Sequence, residues 1–351
     1  MKVDHVFHYK GDFILEAGGT LSGFQLKYTT LGSLNAAKDN AVWVCHALTG
    51  SSDFTSWWQG VFIEDSPYDP HDYFIICANL LGGCYGSTGP LSIDPTTGKP
   101  FYHAFPTITG RDIARAFDLL RNELHIQKIN TLIGGSLGGQ HAMEWAIQSP
   151  NVAENLILLA CNAAHSPWGI ALNEAQRLAI EADPTWKQND ARAGLEGMKA
   201  ARAIGMISYR TYQTYGHTQA DKSNNALDDY RAASYQRYQA QKLANRFNAF
   251  TYWILTKVMD SHHVGRDRES IEEALKKIKA KTLVIGIDSD LLFPIQEQKF
   301  LANHIPSASF EVISSLYGHD GFLVEFELFK KIIKRFFNPA VAGKVKETIT
   351  I

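Results

Sequence analysis

Residues 129–148 read INTLIGGSLGGQHAMEWAIQ, and this stretch decides the fold. Its opening, INTLIG, is a short apolar run of strand type, and its close, QHAMEWAIQ, repeats apolar residues at helical spacing. Between them lies Gly134-Gly135-Ser136-Leu137-Gly138-Gly139, a G-x-S-x-G turn in the strand, turn, helix context that gives the pattern meaning. Glycines flank the serine because so sharp a turn strains the backbone and brings neighbouring segments into close approach. Ser136 Oγ is thereby presented at the start of a helix. Outside such a context the pattern is a common glycine-rich turn; within it, Ser136 reads as a nucleophile.

A serine hydroxyl attacks poorly at neutral pH, so the reading demands a histidine base and a carboxylate that fixes the imidazole tautomer. With this kind of elbow they follow in the order serine, acid, histidine. After the strand-like TLVIGI comes DSDLLFP, which offers Asp288 and Asp290. Asp290 sits beyond the strand in the turn and is the expected acid, whereas Asp288, nearer the strand, is assigned to loop support. A further strand, FEVIS, precedes Tyr317-Gly318-His319-Asp320-Gly321-Phe322, where flanking glycines give His319 room to reach Ser136. Donors for an oxyanion would be the backbone N–H of Leu137, after the nucleophile, and of Leu48, in the loop after the strand AVWVC.

Other motifs carry less. His262 and His263 are adjacent rather than helically spaced, which speaks against a metal pair, and no zinc-type cluster stands elsewhere. The stretch Gly82-Gly83-Cys84-Tyr85-Gly86-Ser87-Thr88-Gly89-Pro90 lacks the Gly-Lys-Ser/Thr ending of a phosphate-binding loop, and no G-x-G-x-x-G follows the first strand. It reads as a shaped loop bordering the site. No bound cofactor or metal is expected.

Working outward, apolar runs rich in branched residues recur at 41–45, 73–78, 131–133, 156–160, 282–287 and 310–313. Continuous apolar strands belong to a sheet buried on both faces, and helical patterns between most of them, such as 112–123 and 140–148, imply a mostly parallel α/β sheet. About 120 residues separate the run ending at Ala160 from that beginning at Thr282, far more than a crossover needs. NEAQRLAIEA, LEGMKAARAIGMISYR, YRAASYQRYQAQKLANRF and TYWILTKVMD fill that interval with helical patterns. The expected organisation is a core of residues 1–162 and 280–351 with a helical lid inserted over 163–279. A separate helical domain is the alternative, disfavoured because the serine, acid and histidine bracket the insert.

The chain has 351 residues, 45% hydrophobic and 20% charged, a globular balance. A net charge of −2 gives no global field to attract nucleic acid or an anionic membrane, which leaves small molecules and copies of the chain as expected partners. No leader-like segment opens the chain and no apolar run approaches a membrane span, so a cytoplasmic location is expected. The four cysteines, with no CxxC pair, read as reduced thiols.

Triad and elbow alone leave esterase, lipase, peptidase, haloperoxidase and acyltransferase open, because one fold hosts many reactions. Seven longer blocks narrow the choice: HALTGSS, YFIICANLLGGCYGSTGP, IGGSLGGQHAMEWA, ALNEAQRLAI, ARAIGMISYR, SHHVGR and YGHDGFLVE. In this order they resemble the sequence blocks of homoserine O-acetyltransferases of the α/β-hydrolase superfamily. The resemblance implies ping-pong transfer of acetyl from acetyl-CoA, a substrate rather than a cofactor, through Ser136 to the hydroxyl of L-homoserine, in methionine biosynthesis. It also implies Arg202 on the acceptor carboxylate with Tyr209 nearby, Asp320 on its ammonium group, and a homodimer paired through the lid helices. One cation and one anion suit a zwitterion. Asn248, Phe250, His263 and Leu137 depart from the family's usual wording. Rival readings are a succinyl donor or L-serine acceptor, a hydrolase, and a catalytically silent binding protein.

Overall fold

The computed structural model describes residues 1–223, 225 and 227–338; the end of the expected core segment, 339–351, lies outside them. The strands are β1 (Val3–Ile14), β2 (Thr20–Leu31), β3 (Ala41–Cys45), β4 (Phe74–Ala78), β5 (Ile129–Gly135), β6 (Ala153–Leu159), β7 (Lys281–Ile287) and β8 (Ala308–Ile313). They form one sheet in the order β1-β2-β4-β3-β5-β6-β7-β8. From β4 to β8 every pairing is parallel, while β1 with β2 and β2 with β4 pair antiparallel. The six apolar runs are therefore the inner and far strands, and the hairpin β1–β2 extends the sheet on the other side.

Burial explains which strands show as continuous apolar runs. Every residue of β3 is buried and β5 is nearly so, because side chains pack on both faces of the sheet. On one face lie helices α1 (Gly110–Glu123) and α2 (Leu137–Gln148). There Trp43 of β3 meets Trp145 edge-on at 5.0 Å and Phe117 at 5.9 Å. Against the other face, Trp58 stacks on Phe329 at 5.2 Å and donates its indole N–H to Phe322 O at 2.9 Å. Thr109 and Asp112 form a capping box that fixes where α1 begins.

Between β6 and β7 run α3 (Pro167–Glu181), α4 (Leu195–Tyr209), α5 (Tyr212–Thr218), α6 (Arg231–Ala244) and α7 (Ala249–Asp260). The interval is helical, as its patterns predict. Helices α3 and α4 approach so closely that a Cβ on Gly197 would lie 2.5 Å from Ala179 O. Buried Arg177 of α3 pairs with Asp260 at the end of α7 at 2.5 Å. Arg268, just beyond, pairs with buried Glu144 of α2 at 2.5 Å, and Arg266 and Arg111 meet Glu16 at 3.0 and 2.9 Å. These charges are held by several partners each, the condition under which desolvated ion pairs are tolerated.

The departures from the family's usual wording find physical places. Asn248 is the N-cap of α7, its side chain accepting from Thr251 N at 2.8 Å, a role Asn and Asp fill equally. Phe250 packs among Tyr102, His103 and Trp186 at 4.8 to 5.4 Å. His263 is exposed, and Leu137 is buried at the first position of α2.

Candidate active site

Strand β5 ends in the elbow. Ser136 has φ 56° and ψ −129°, a left-handed conformation rare for a residue with a side chain, and it stands as the N-cap of α2. The turn exists only because its neighbours lack side chains: a Cβ on Gly134 would lie 2.3 Å from Gly138 O, and one on Gly138 would lie 2.0 Å from Cys45 O. The second contact seats the start of α2 directly on the end of β3, which brings the loop carrying Leu48 beside the elbow.

Asp290, beyond β7, is buried, and its Oδ1 accepts from Leu292 N at 2.8 Å and Phe293 N at 2.9 Å. Its Oδ2 faces His319 Nδ1 at 2.7 Å. Asp288 is exposed and accepts from Ser315 N at 3.1 Å, the loop-supporting place expected of it. His319 lies in a one-turn 3₁₀ helix, Gly318–Asp320, its ring walled by Phe293 at 5.1 Å, Phe322 at 5.3 Å and Tyr209 at 6.0 Å. With Nδ1 held on a carboxylate, the ring presents Nε2 as the base.

Ser136, His319, Leu48, Arg202, Tyr209 and Asp320 all line one pocket of about 80 Å³. Asp290 stands behind His319, and Leu137 follows Ser136 within α2. The structure thus places the expected triad, oxyanion and acceptor-binding residues around one pocket. Arg202 is the only Lys or Arg lining the pocket among the described residues; its guanidinium lies 5.5 Å from the centroid of the Tyr209 ring. Its Nε, like that of Arg210, is buried without a hydrogen-bond partner, which leaves that donor free for a ligand. A larger, more open hollow of about 970 Å³ lies between the β1–β2 hairpin and the loop 88–106 and contains none of these residues.

Some supporting groups are not evident in the sequence. His46 is buried, its pKa pushed down to about 4 by burial; Nδ1 meets Ala47 O at 2.9 Å and Nε2 accepts from Leu80 N at 3.3 Å. A neutral ring there shapes the loop that presents Leu48. Behind the triad, Gln140 Nε2 donates to Asn162 Oδ1 at 3.0 Å, and Asn162 Nδ2 donates to Glu297 Oε2 at 3.0 Å. Burial pushes Glu297 up to about 7. These residues stand far apart in the chain, and although His46 and Gln140 fall inside quoted sequence blocks, only the fold reveals what they support.

A nucleophile elbow on a mostly parallel sheet, with a histidine–carboxylate pair in the same site, defines an α/β-hydrolase-fold protein, and residues 40–326 match the alpha/beta hydrolase fold family. Over 332 residues the chain is 51% identical to a homoserine O-acetyltransferase of Cyclobacterium marinum, covering 95% of this chain and 94% of that one. A solved homoserine O-acetyltransferase from Staphylococcus aureus superposes with a TM-score of 0.80 at 29% identity, covering 99% of this chain and 98% of that one. The chain belongs to the homoserine O-acetyltransferase family. Esterase E22 shares the fold, with a TM-score of 0.86 at 23% identity over 96% of this chain and all of that one.

Proposed function

We propose that this protein transfers acetyl from acetyl-CoA to the hydroxyl of L-homoserine through an acyl-serine intermediate, serving methionine biosynthesis. The observation that carries the reading is the presence of Arg202 and Asp320, one cation and one anion, beside Ser136 in one small pocket. Opposite charges at the mouth of a nucleophile suit a zwitterionic acceptor; a simple esterase has no need of them. In the first half-reaction His319 Nε2 takes the proton of Ser136 Oγ as the oxygen attacks the thioester carbonyl. Backbone N–H groups of Leu48 and Leu137 hold the oxyanion, each such donor contributing about 3 kcal/mol in comparable sites. The C–S bond breaks, and CoA leaves as the thiol with the proton from His319. In the second half-reaction His319 removes the hydroxyl proton of homoserine as its oxygen attacks the acyl carbon; Ser136 recovers a proton and O-acetyl-L-homoserine departs.

Two features favour acetyl over succinyl and transfer over hydrolysis. A succinyl carboxylate calls for a second cation, and among the described residues Arg202 is the only one lining the pocket. Helices of the 163–279 insert act in this reading as a lid, contributing Arg202, Tyr209 and Met259 to the pocket wall and so keeping water from the acyl-enzyme. The assay is CoA release from acetyl-CoA with and without L-homoserine, the amino-acid product followed by mass, with succinyl-CoA and L-serine as rivals. Release that depends on L-homoserine and yields O-acetylhomoserine is expected. Homoserine-independent release, or faster turnover of a rival, would overturn the reading.

The same reading includes a homodimer paired through the insert. Ile207, Tyr212 and Tyr238 are large apolar or aromatic side chains left 60 to 90% exposed on α4, α5 and α6, residues of the kind that interfaces cover. Light scattering at micromolar concentration is expected to return twice the chain mass; a single-chain mass would remove this part. A cytoplasmic location fits the four free cysteines, of which Cys45, Cys77 and Cys161 are buried. Among the described residues no helix is long and apolar enough to cross a membrane.

A further inference from the structure

The α4–α5 junction is fastened to the loop that carries His319 at three successive points. Thr211, the N-cap of α5, donates its hydroxyl to Leu316 O at 2.6 Å, and the hydroxyl of Thr214 donates to the same carbonyl. Gly318 has φ 62° and packs so tightly that a Cβ would meet Tyr209 O at 3.0 Å. Arg210, between Tyr209 and Thr211, places Nε 2.7 Å from Asp320 Oδ2, and its guanidinium lies 5.4 Å from the centroid of the Tyr317 ring.

Arg210 differs in kind from the other two attachments because it engages a charge of the pocket. Asp320 lines the pocket; Arg210 does not, and instead lines a separate cavity of about 280 Å³ with Tyr215, Gln219 and Tyr235. The guanidinium therefore faces Asp320 from outside the pocket as an ion pair at one carboxylate oxygen, its Nε–H not aligned for a hydrogen bond. Both side chains are more than four-fifths buried, so water screens the pair only partly. An exposed carboxylate on a one-turn helix would sample several rotamers; one held by Arg210 keeps a single orientation, and with it the direction from which a cation is received.

We propose that Arg210 is a positioning residue for acceptor recognition: by holding Asp320 Oδ2 from behind the pocket, it fixes the carboxylate that receives the acceptor's ammonium group. The inference rests on the acyl-transfer reading above. Arg210 touches neither acyl donor nor acceptor, and its influence falls on the second half-reaction and on discrimination between acceptors that have and lack an amine.

The test compares wild type, Arg210→Met and Arg210→Lys as full chains. Acyl-enzyme formation from acetyl-CoA alone reads the first half-reaction, and KM values for L-homoserine and for 4-hydroxybutanoate read the second. The latter keeps the hydroxyl and carboxylate and lacks the amine. For Arg210→Met, KM for L-homoserine is expected to rise about tenfold or more, the scale of removing the partner of a largely desolvated charge. Acylation should move far less, and the preference for L-homoserine over 4-hydroxybutanoate should shrink by a similar factor. Arg210→Lys, which keeps the charge, should recover part of that preference. An unchanged or lowered KM, or acylation falling in step with it, would overturn the inference. If wild-type CoA release ignores L-homoserine, the parent reading fails and this one with it; a responsive wild type with an equally responsive Arg210→Met removes this inference alone.

Discussion

Ser136→Ala is expected to lower kcat by about 10⁴-fold or more, the scale on which serine-triad enzymes lose activity when the nucleophile is removed. The loss should be chemical rather than structural. Ser136 already carries a Cβ at φ 56°, so alanine introduces no new backbone conflict, and the flanking glycines that make the turn possible are untouched. Unfolding temperature should therefore stay near that of the wild type. The sharper readout is covalent. With acetyl-CoA and no acceptor, the wild type should gain the mass of one acetyl group, discharged on adding L-homoserine, and Ser136→Ala should gain nothing. A variant that keeps more than a tenth of wild-type turnover would mean direct transfer from CoA to acceptor, and the ping-pong scheme would have to be abandoned.

The elbow reads from sequence because its requirements are local: a strand, a turn that only small residues can make, and a helix, all within twenty residues. The inner strands read for a related reason, since burial on both faces writes itself as an unbroken apolar run. The hairpin β1–β2 did not stand out because β1 is the sheet edge. Among its residues only Phe13 is buried, the rest being exposed or half-buried, and its register shifts between Tyr9 and Asp12. Polar and apolar residues mix there without a clean period. Arg202 and Asp320 were reachable only through the resemblance, because a lid helix and a loop after β8 meet in space and share no local signal. Arg210 was out of reach for the same reason. It is one more cation near a helix end until the fold sets it against Asp320. His46 and the Gln140, Asn162, Glu297 chain likewise acquire meaning from partners distant in the chain.

Choosing between the two aspartates that follow β7 gives the second large effect. Asp290→Asn should leave the fold intact, because an amide oxygen can still accept from Leu292 N and Phe293 N as Oδ1 does now. What changes is the group facing His319. A carboxylate accepts from Nδ1–H and so leaves Nε2 unprotonated to take the proton of Ser136; an amide directing its NH₂ at Nδ1 stabilises the opposite tautomer, with the proton on Nε2. It also withdraws the negative charge that stabilises the imidazolium formed in each half-reaction. Together these are expected to lower kcat by about 10⁴-fold at neutral pH, with acylation and deacylation both slowed because His319 serves in each. Asp288→Asn supplies the contrast. Asp288 is exposed and accepts from Ser315 N, a contact an amide oxygen can also make. Its kcat should change less than about threefold, consistent with surface substitutions away from special features. Should the two variants exchange these outcomes, the acid would be Asp288, and the 2.7 Å contact between Asp290 and His319 would be structural.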